Sequence, residues 1–312
     1  MILKIKPVFK EKIWGGRELF NDFKIKNESS FKNIGEAWII SGYQGSESKI
    51  VGEKLTLNEF FKANKNLFDY YPSENFPLLI KIINTETDLS IQVHPNDLQA
   101  QRLDNYEFGK AEAWYILEAK KDQKIIIGTN AKNKEELFTF IKEKKHDLAF
   151  KTVDCKVGDV FNIIPGTIHA IKGGTTLYEI QQSSDLTYRL NDYDRIGLDG
   201  KPRRLDLEKG IQVVNFFAEN IIDRKFIKFD DNIVIESVIR NNRLALDKIT
   251  ITGPVKYSFN KEKHFLAITV ASGQVTINKL KLEKYESIII TPESTENVSF
   301  DGDAILLVGN PI

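Results

Sequence analysis

A single cysteine, Cys155, stands in a chain of 312 residues, so no internal disulfide can form and the chain suits a reducing compartment. Cys155 reads as a small side chain near the start of a strand rather than as a nucleophile. Neither sign of charge is in excess, because 44 Lys and Arg balance 44 Asp and Glu. That excludes a basic field for nucleic acid or acidic lipid, and any anionic ligand must be held by a local cluster of cations. Nowhere do about 18 apolar residues run together. The opening MILKIKPVFKEKIWGG also lacks the apolar stretch of a signal peptide. The expectation is a soluble cytoplasmic protein with neither a membrane nor a nucleic-acid partner. Histidine is scarce as well, at four residues. His146, in the charged run KEKKHD, reads as solvated, and His264, in NKEKHF, as the opening of a C-terminal strand. His94 and His169 remain.

The length allows about two domains of roughly 150 residues and a core that needs no covalent staples. Short runs of β-branched and aromatic residues dominate, among them SKIVG, FPLLIKII, LSIQVHP, AWYILEA, QKIIIGT, DVFNIIP, TLYEIQQ, FLAITVASGQVTI and ESIIITP. Turn signals separate them, a mainly β pattern that is closed or sandwiched. Helical patches interrupt it. Thr56 and Glu59 have capping-box spacing before an apolar-periodic run over 56–71, and 133–145 reads as an exposed charged helix. Asp97 is expected to cap a helix through Leu103, and Asp206 another through Phe216. Ser272-Gly273 reads as a hairpin turn.

Beyond residue 235 the polar signature residues vanish while the strand rhythm continues. A catalytic domain over 1–235 and a second, smaller β-domain over 236–312 are therefore expected. GDVFNIIPGTIH (158–169) and YESIIITPESTE (285–296) both run from a strand into proline, a loose echo in which Glu296 answers His169. A duplicated barrel whose second copy lost its ligand would explain it.

In Leu89-Ser90-Ile91-Gln92-Val93-His94, alternation puts Ser90, Gln92 and His94 on one face and the apolar residues on the other. A barrel strand facing bulk water would look the same. Lys110, Glu112 and Trp114 share a face in the next such segment, and Pro165-Gly166-Thr167-Ile168-His169 brings a histidine out of a rigid turn among apolar residues. Alone, that histidine is as well explained by a satisfied hydrogen bond in the core. Together, two imidazoles, a carboxylate and an amide make a nitrogen and oxygen set for zinc or a neighbouring divalent metal, with positions left for water or substrate.

LSIQVHPND, the spacing from it to GKAEAWYIL, and PGTIHAI resemble the metal-binding motifs of the type I phosphomannose isomerases, which are zinc-dependent cupins. PVFKEKIWGGRELF and NIGEAWIISGY are similar to the family's N-terminal segment, and SSDLTYRLNDYDR to the stretch after its last ligand. The resemblance spans nearly the whole chain, in the short bacterial form. It implies a cupin-type double-stranded β-helix, or jelly-roll barrel, with helical insertions. It also implies one zinc ion per chain held by Gln92, His94, Glu112 and His169, with Arg189 as the catalytic arginine. Lys81, Lys110, Glu179, Asp185 and Ser90 are implied as pocket residues. The chain departs from the family pattern at Ala111, where relatives often carry Pro or Thr, and at Asn191, where short forms commonly show Tyr. Neither change removes a ligand.

The implied reaction interconverts mannose 6-phosphate and fructose 6-phosphate by moving a proton between C1 and C2 through a cis-enediolate. Charge developing on two adjacent oxygens calls for a metal with open positions. Lys81, inside the apolar run PLLIKII, has a charge that burial would disfavour, unless it is an edge lysine reaching to water. Glu179 is a base, a proton shuttle or a partner of a ligand. Arg189 steadies the enediolate or grips the phosphate, unless it forms a surface ion pair with a nearby aspartate. Ser90 and Lys110 would hold the phosphate, and Asp185 would assist ring opening or serve as a turn residue. Trp114 is a candidate substrate contact, although it reads, like Trp14 and Trp38, as core or pocket wall; Glu36 has no assigned part. Two rivals stay open. A non-haem iron oxygenase shares the two-histidine, one-carboxylate set, and a non-catalytic sugar-binding cupin would share the pocket. The oligomeric state is not legible.

Overall fold

The computed structural model describes residues 1–25, 31–106, 108–218, 222, 224–259 and 264–312. Each β-branched run named above contains a strand: Lys49–Ile50, Leu78–Thr85, Ile91–Val93, Glu112–Ala119, Lys124–Thr129, Val160–Ile163, Thr175–Gln182, Leu266–Ile277 and Ser287–Ile290. Leu78–Thr85 and Thr175–Gln182 are buried along their whole length. Full burial explains the nearly continuous apolar run of Leu78–Ile83, whereas Thr175–Gln182 is buried although it carries Glu179, Gln181 and Gln182.

These two strands form the middle of a six-stranded antiparallel sheet, in the order Val160–Ile163, Glu112–Ala119, Thr175–Gln182, Leu78–Thr85, Glu36–Ser41, Val8–Lys10. One face of it meets a five-stranded sheet, ordered Tyr188–Asn191, Ile91–Val93, His169–Ala170, Lys124–Thr129, Phe150–Asp154. Ile83, Trp114 and Leu177 from one sheet interlock with Ile125, Ile127 and Ile171 from the other. The outer face of the five-stranded sheet is covered by the helices Lys134–Lys142, His146–Ala149 and Leu207–Val213, through Leu137, Ile141, Ala149 and Ile211. The fold is mainly β, the cupin-type barrel expected.

The other face of the six-stranded sheet packs on a ten-stranded sheet, with Ile80, Tyr178 and Ile180 against Leu246, Phe265, Ala267 and Leu307. This second sheet gathers the strands from Lys225–Asp230 to Val298–Pro311, but it also takes in Ile2–Lys6 and Lys49–Ile50. Ile2 pairs with Ile290 and Ile5 with Ser287. The boundary expected after residue 235 falls inside the strand Ile233–Arg240, which pairs with Leu244–Ile251. Sheet membership is decided by partners far away in sequence, and composition along the chain does not report them. Among the described residues no helix is long and apolar enough to cross a membrane.

Several local details differ from expectation. The Thr56 capping box forms as read, but its helix is only Leu57–Ala63, followed by a 3-10 turn over Lys65–Phe68. The cap of Asp97–Asp104 is Asn96, not Asp97, because Asn96 and Gln99 exchange the reciprocal pair of bonds. Asn133 caps Lys134–Lys142, and Leu207–Val213 ends before Phe216. Ser272-Gly273 is not a hairpin turn: Leu266–Ile277 continues through it with a bulge after Val270, Gly273 taking φ +76°. The chain reverses instead at Asn278-Lys279, both at positive φ. His146 is not solvated but half-buried, facing Asn191 at 3.1 Å and packing against Phe150. Cys155 follows the strand Phe150–Asp154 rather than opening one, and burial pushes its thiol up to about 11.

Candidate metal centre

Register builds the centre. His169 stands directly opposite Gln92 on one side, and Arg189 stands opposite Gln92 on the other. Residues directly opposite in an antiparallel pair share a face, so these three point toward the six-stranded sheet. His94 follows the same alternation one step past the strand end. From the facing sheet comes Glu112, the first residue of its strand. The ligand atoms of His94, Glu112 and His169 all lie within 4.8 Å of one another, and all three side chains are buried.

Both imidazoles are aimed by backbone. His94 Nδ1 donates to the Leu186 carbonyl at 3.0 Å and His169 Nδ1 to the Thr167 carbonyl at 2.9 Å. A carbonyl only accepts, so each Nδ1 carries the proton and each Nε2 turns a lone pair inward. His94 is driven down to about 3 by burial and then by the Lys110 ammonium, and burial lowers His169 as well. Burial opposes ionisation of Glu112, yet the Lys110 ammonium overcomes it and holds the carboxyl well below its ordinary value. Neutral imidazoles beside an ionised carboxylate are the protonation states that metal binding requires. Lys110 Nζ stands 2.8 Å from Glu112 Oε2, but neither carboxylate oxygen has a hydrogen bond of proper geometry. Two inward lone pairs and a buried carboxylate with unused acceptor capacity fit a divalent cation. The Gln92 amide faces His169 Nε2 at 3.3 Å through its nitrogen; rotating the amide by half a turn offers its oxygen at the same place.

Gln92 and Lys110 are among the residues that line a cavity of about 220 Å³. None of the three cluster residues lines this cavity itself; Gln92 and Lys110, which contact His169 and Glu112, connect the two, and the cavities of about 420 and 410 Å³ elsewhere have neither. The six-stranded sheet contributes a row of paired positions, Trp38, Lys81, Glu179 and Trp114. Lys81 lies on an interior strand and is 2 % exposed, which excludes the edge lysine reaching to water. Its charge is not suppressed either. Burial alone would lower it, but Glu179 at 2.9 Å, together with Glu36 and Asp185, raises it instead. Glu179 is raised, first by burial and then by the field of Glu112. Trp114 Nε1 donates to Glu179 Oε2 at 3.0 Å, and the indole stands edge-on to His169. Trp114 is 1 % exposed and braces these two residues; like His94, Glu112 and His169, it is not among the residues that line the cavity.

Ser90, Asp185, Thr187 and Arg189 line the cavity with Trp14, and so do three residues with no part in the sequence reading: Lys12, Glu36 and Arg203. Glu36 accepts from Trp38 Nε1 at 2.7 Å and pairs with Lys12 at 3.3 Å. Burial opposes its charge, but Lys12 and Lys81 hold it down at about 2. The Glu36–Trp38 alternation carries the same signal as Glu112–Trp114 and could have found it. Arg203 lies in a loop without periodicity, so no sequence pattern marks it.

A family model described as phosphomannose isomerase type I, catalytic domain, matches residues 2–127. The chain is 39% identical over 277 residues to mannose-6-phosphate isomerase ManA of Bacillus subtilis, covering 87% of this chain and 86% of that one. It is 31% identical over 305 residues to mannose-6-phosphate isomerase of Streptococcus mutans, covering 96% and 95%. The crystal structure of the mannose 6-phosphate isomerase from Bacillus subtilis matches with a TM-score of 0.92 at 30% identity, over 99% of each chain.

Proposed function

The chain belongs to the type I phosphomannose isomerase family, and on that premise we propose that it interconverts mannose 6-phosphate and fructose 6-phosphate. The observation that carries this reading is the buried His94–Glu112–His169 set, within 4.8 Å, joined through Gln92 and Lys110 to a cavity lined by lysines and arginines. One zinc ion per chain, held by these three residues and Gln92, would supply Lewis-acid stabilisation of a cis-enediolate without redox chemistry.

The chain's own groups divide the remaining work. Lys110, tied to Glu112 and His94, adds fixed positive charge at the reacting end. Glu179, whose proton affinity is raised, moves the proton between the adjacent sugar carbons, and Trp114 keeps it aimed. Lys81 remains an ammonium and donates to a substrate oxygen. Ser90 and Arg189 position the sugar from the five-stranded sheet. Asp185, exposed beyond the row, is placed to assist ring opening.

A coupled assay for fructose 6-phosphate, run with and without a chelator, tests the proposal. Turnover should vanish with the chelator and return when zinc is restored. Stoichiometric iron with oxygen consumption would overturn the reading, as would mannose 6-phosphate binding without product at full metal occupancy.

A further inference from the structure

Asn96 takes the capping place of the helix Asp97–Asp104, so the Asp97 carboxylate is left to bond elsewhere. Its Oδ1 accepts from Gly109 N at 2.8 Å and from Gln182 Nε2 at 2.9 Å. The second bond orients the buried Gln182 amide, whose Oε1 accepts from Ala111 N at 3.0 Å. Between these two, Lys110 N donates to the Pro95 carbonyl at 3.0 Å. Three consecutive buried amides, those of residues 109 to 111, are therefore satisfied by the segment that follows His94 and by Gln182, just before the strand Glu112–Ala119 begins. The two backbones touch: a Cβ on Gly109 would lie 2.4 Å from Asn96 C and 2.5 Å from the Pro95 carbonyl oxygen, so the approach requires glycine.

The stretch fixed in this way carries the chemistry. Lys110 lies inside it, Glu112 follows it, and His94 opens the segment that holds it. Lys110 Nζ reaches Glu112 Oε2 at 2.8 Å and His94 Nε2 at 3.1 Å, contacts that depend on the separation of the two backbones. The clamp is also anchored from outside the barrel. Asp97 Oδ2 pairs with Arg243, which sits in the turn between Ile233–Arg240 and Leu244–Ile251 of the ten-stranded sheet. That turn braces itself, Asn241 Oδ1 accepting from Arg243 N at 2.9 Å, and Asn241 Nδ2 donates to Asn162 Oδ1 at 3.1 Å. Asn162 in turn stands opposite Ala113, the residue after Glu112. Both oxygens of Asp97 are thus engaged, one by the clamp and one by the second sheet. A carboxylate that served only the start of its helix would bond to none of Gly109, Gln182 and Arg243.

We propose that Asp97 is a positioning residue: through Gly109 N and Gln182 it sets Lys110 and Glu112 against His94, and Arg243 orients it from the second sheet. The proposal rests on the metal-dependent isomerase reading above. It is tested on the full chain with Asp97→Ala, Asp97→Asn, Gln182→Ala and Arg243→Ala, by two measurements. The first is zinc affinity by competition with a chromogenic chelator, which needs no turnover and so separates failure of this proposal from failure of the isomerase reading. The second is the division of any kinetic loss between kcat and KM for mannose 6-phosphate at full zinc occupancy. Loss of a bond that orients metal ligands predicts zinc affinity weaker by about 10- to 100-fold in Asp97→Ala, with kcat lowered and KM within about twofold of native. Asp97→Asn keeps an oxygen for Gly109 N and Gln182 and should recover most of that loss. Gln182→Ala should move the same quantities in the same direction, and it guards against an Asp97→Ala variant that does not fold. Arg243→Ala removes one half-exposed ion pair and should weaken zinc binding by less than about fivefold, a difference that high salt erases. Native zinc affinity and native kcat in Asp97→Ala would overturn the proposal. So would an Asp97→Asn variant as impaired as the alanine one, or losses confined to KM.

Discussion

The reactive side chains differ in what each one holds up, and single substitutions separate them. His94→Ala or His169→Ala removes an inward lone pair and leaves Glu112 facing an incomplete set, so metal content and turnover should be lost together. Arg189→Ala touches no donor atom of that set and should retain metal while turnover falls; a normal rate would refute its role. Elemental analysis beside the fructose 6-phosphate assay reads both. Glu36 tests the charge balance. Its carboxyl is held at about 2 against an ordinary 4.5, so its contribution to stability is present above pH 4.5 and is lost as pH falls toward 2. Glu36→Gln leaves Lys12 and Lys81 with one counter-charge fewer. It should cost about 3 kcal/mol at neutral pH, a difference that should shrink as the pH falls toward 2. Parallel thermal melts at pH 7 and pH 3 check this, and an equal loss at both would contradict the assignment.

Secondary-structure elements were legible where a local pattern decides them. Thr56 and Glu59 form the capping box that their spacing announced, and Thr56→Ala should cost about 1 kcal/mol. The failures came where the same residues serve two geometries. Ser272-Gly273 looks like a hairpin turn, but the strand Val298–Pro311 runs alongside and keeps Leu266–Ile277 extended through the bulge. A Cβ on Gly273 would lie 2.1 Å from the Asp303 carbonyl oxygen, and the residue sits at φ +76°. Gly273→Ala should therefore cost more than about 2 kcal/mol, well beyond the helix cap. Urea titration of the two variants should rank them in that order.

At the scale of the molecule, the catalytic barrel and the sheet behind it share one core. Tyr178 and Ile180 turn their backs on the site and pack against the second sheet, and a Cβ on Gly309 would meet Ile180 Cδ1 at 2.3 Å. Ile2–Lys6 lies in that ten-stranded sheet, so a fragment ending at residue 218 loses the Ser287–Ile290 side of its own first strand and keeps only the short pairing with Lys49–Ile50. Such a fragment should be aggregated or unfolded by circular dichroism and sedimentation. A monomer with a cooperative melt would show that the barrel is an independent unit.

By itself the sequence determined the β-class, through strand-length apolar runs, and it singled out Gln92, His94, Glu112 and His169. Alternation and rigid turns are local properties, and the order of the motifs resembled one family. Tertiary structure alone decided that Lys81 keeps its charge, that Trp114 supports rather than lines the cavity, and that Arg203 joins Arg189. Each of these depends on the field or contact of a residue far away in sequence, set by which strands pair and which sheet faces which. That information lies in the register between distant segments, and no periodicity within a segment encodes it.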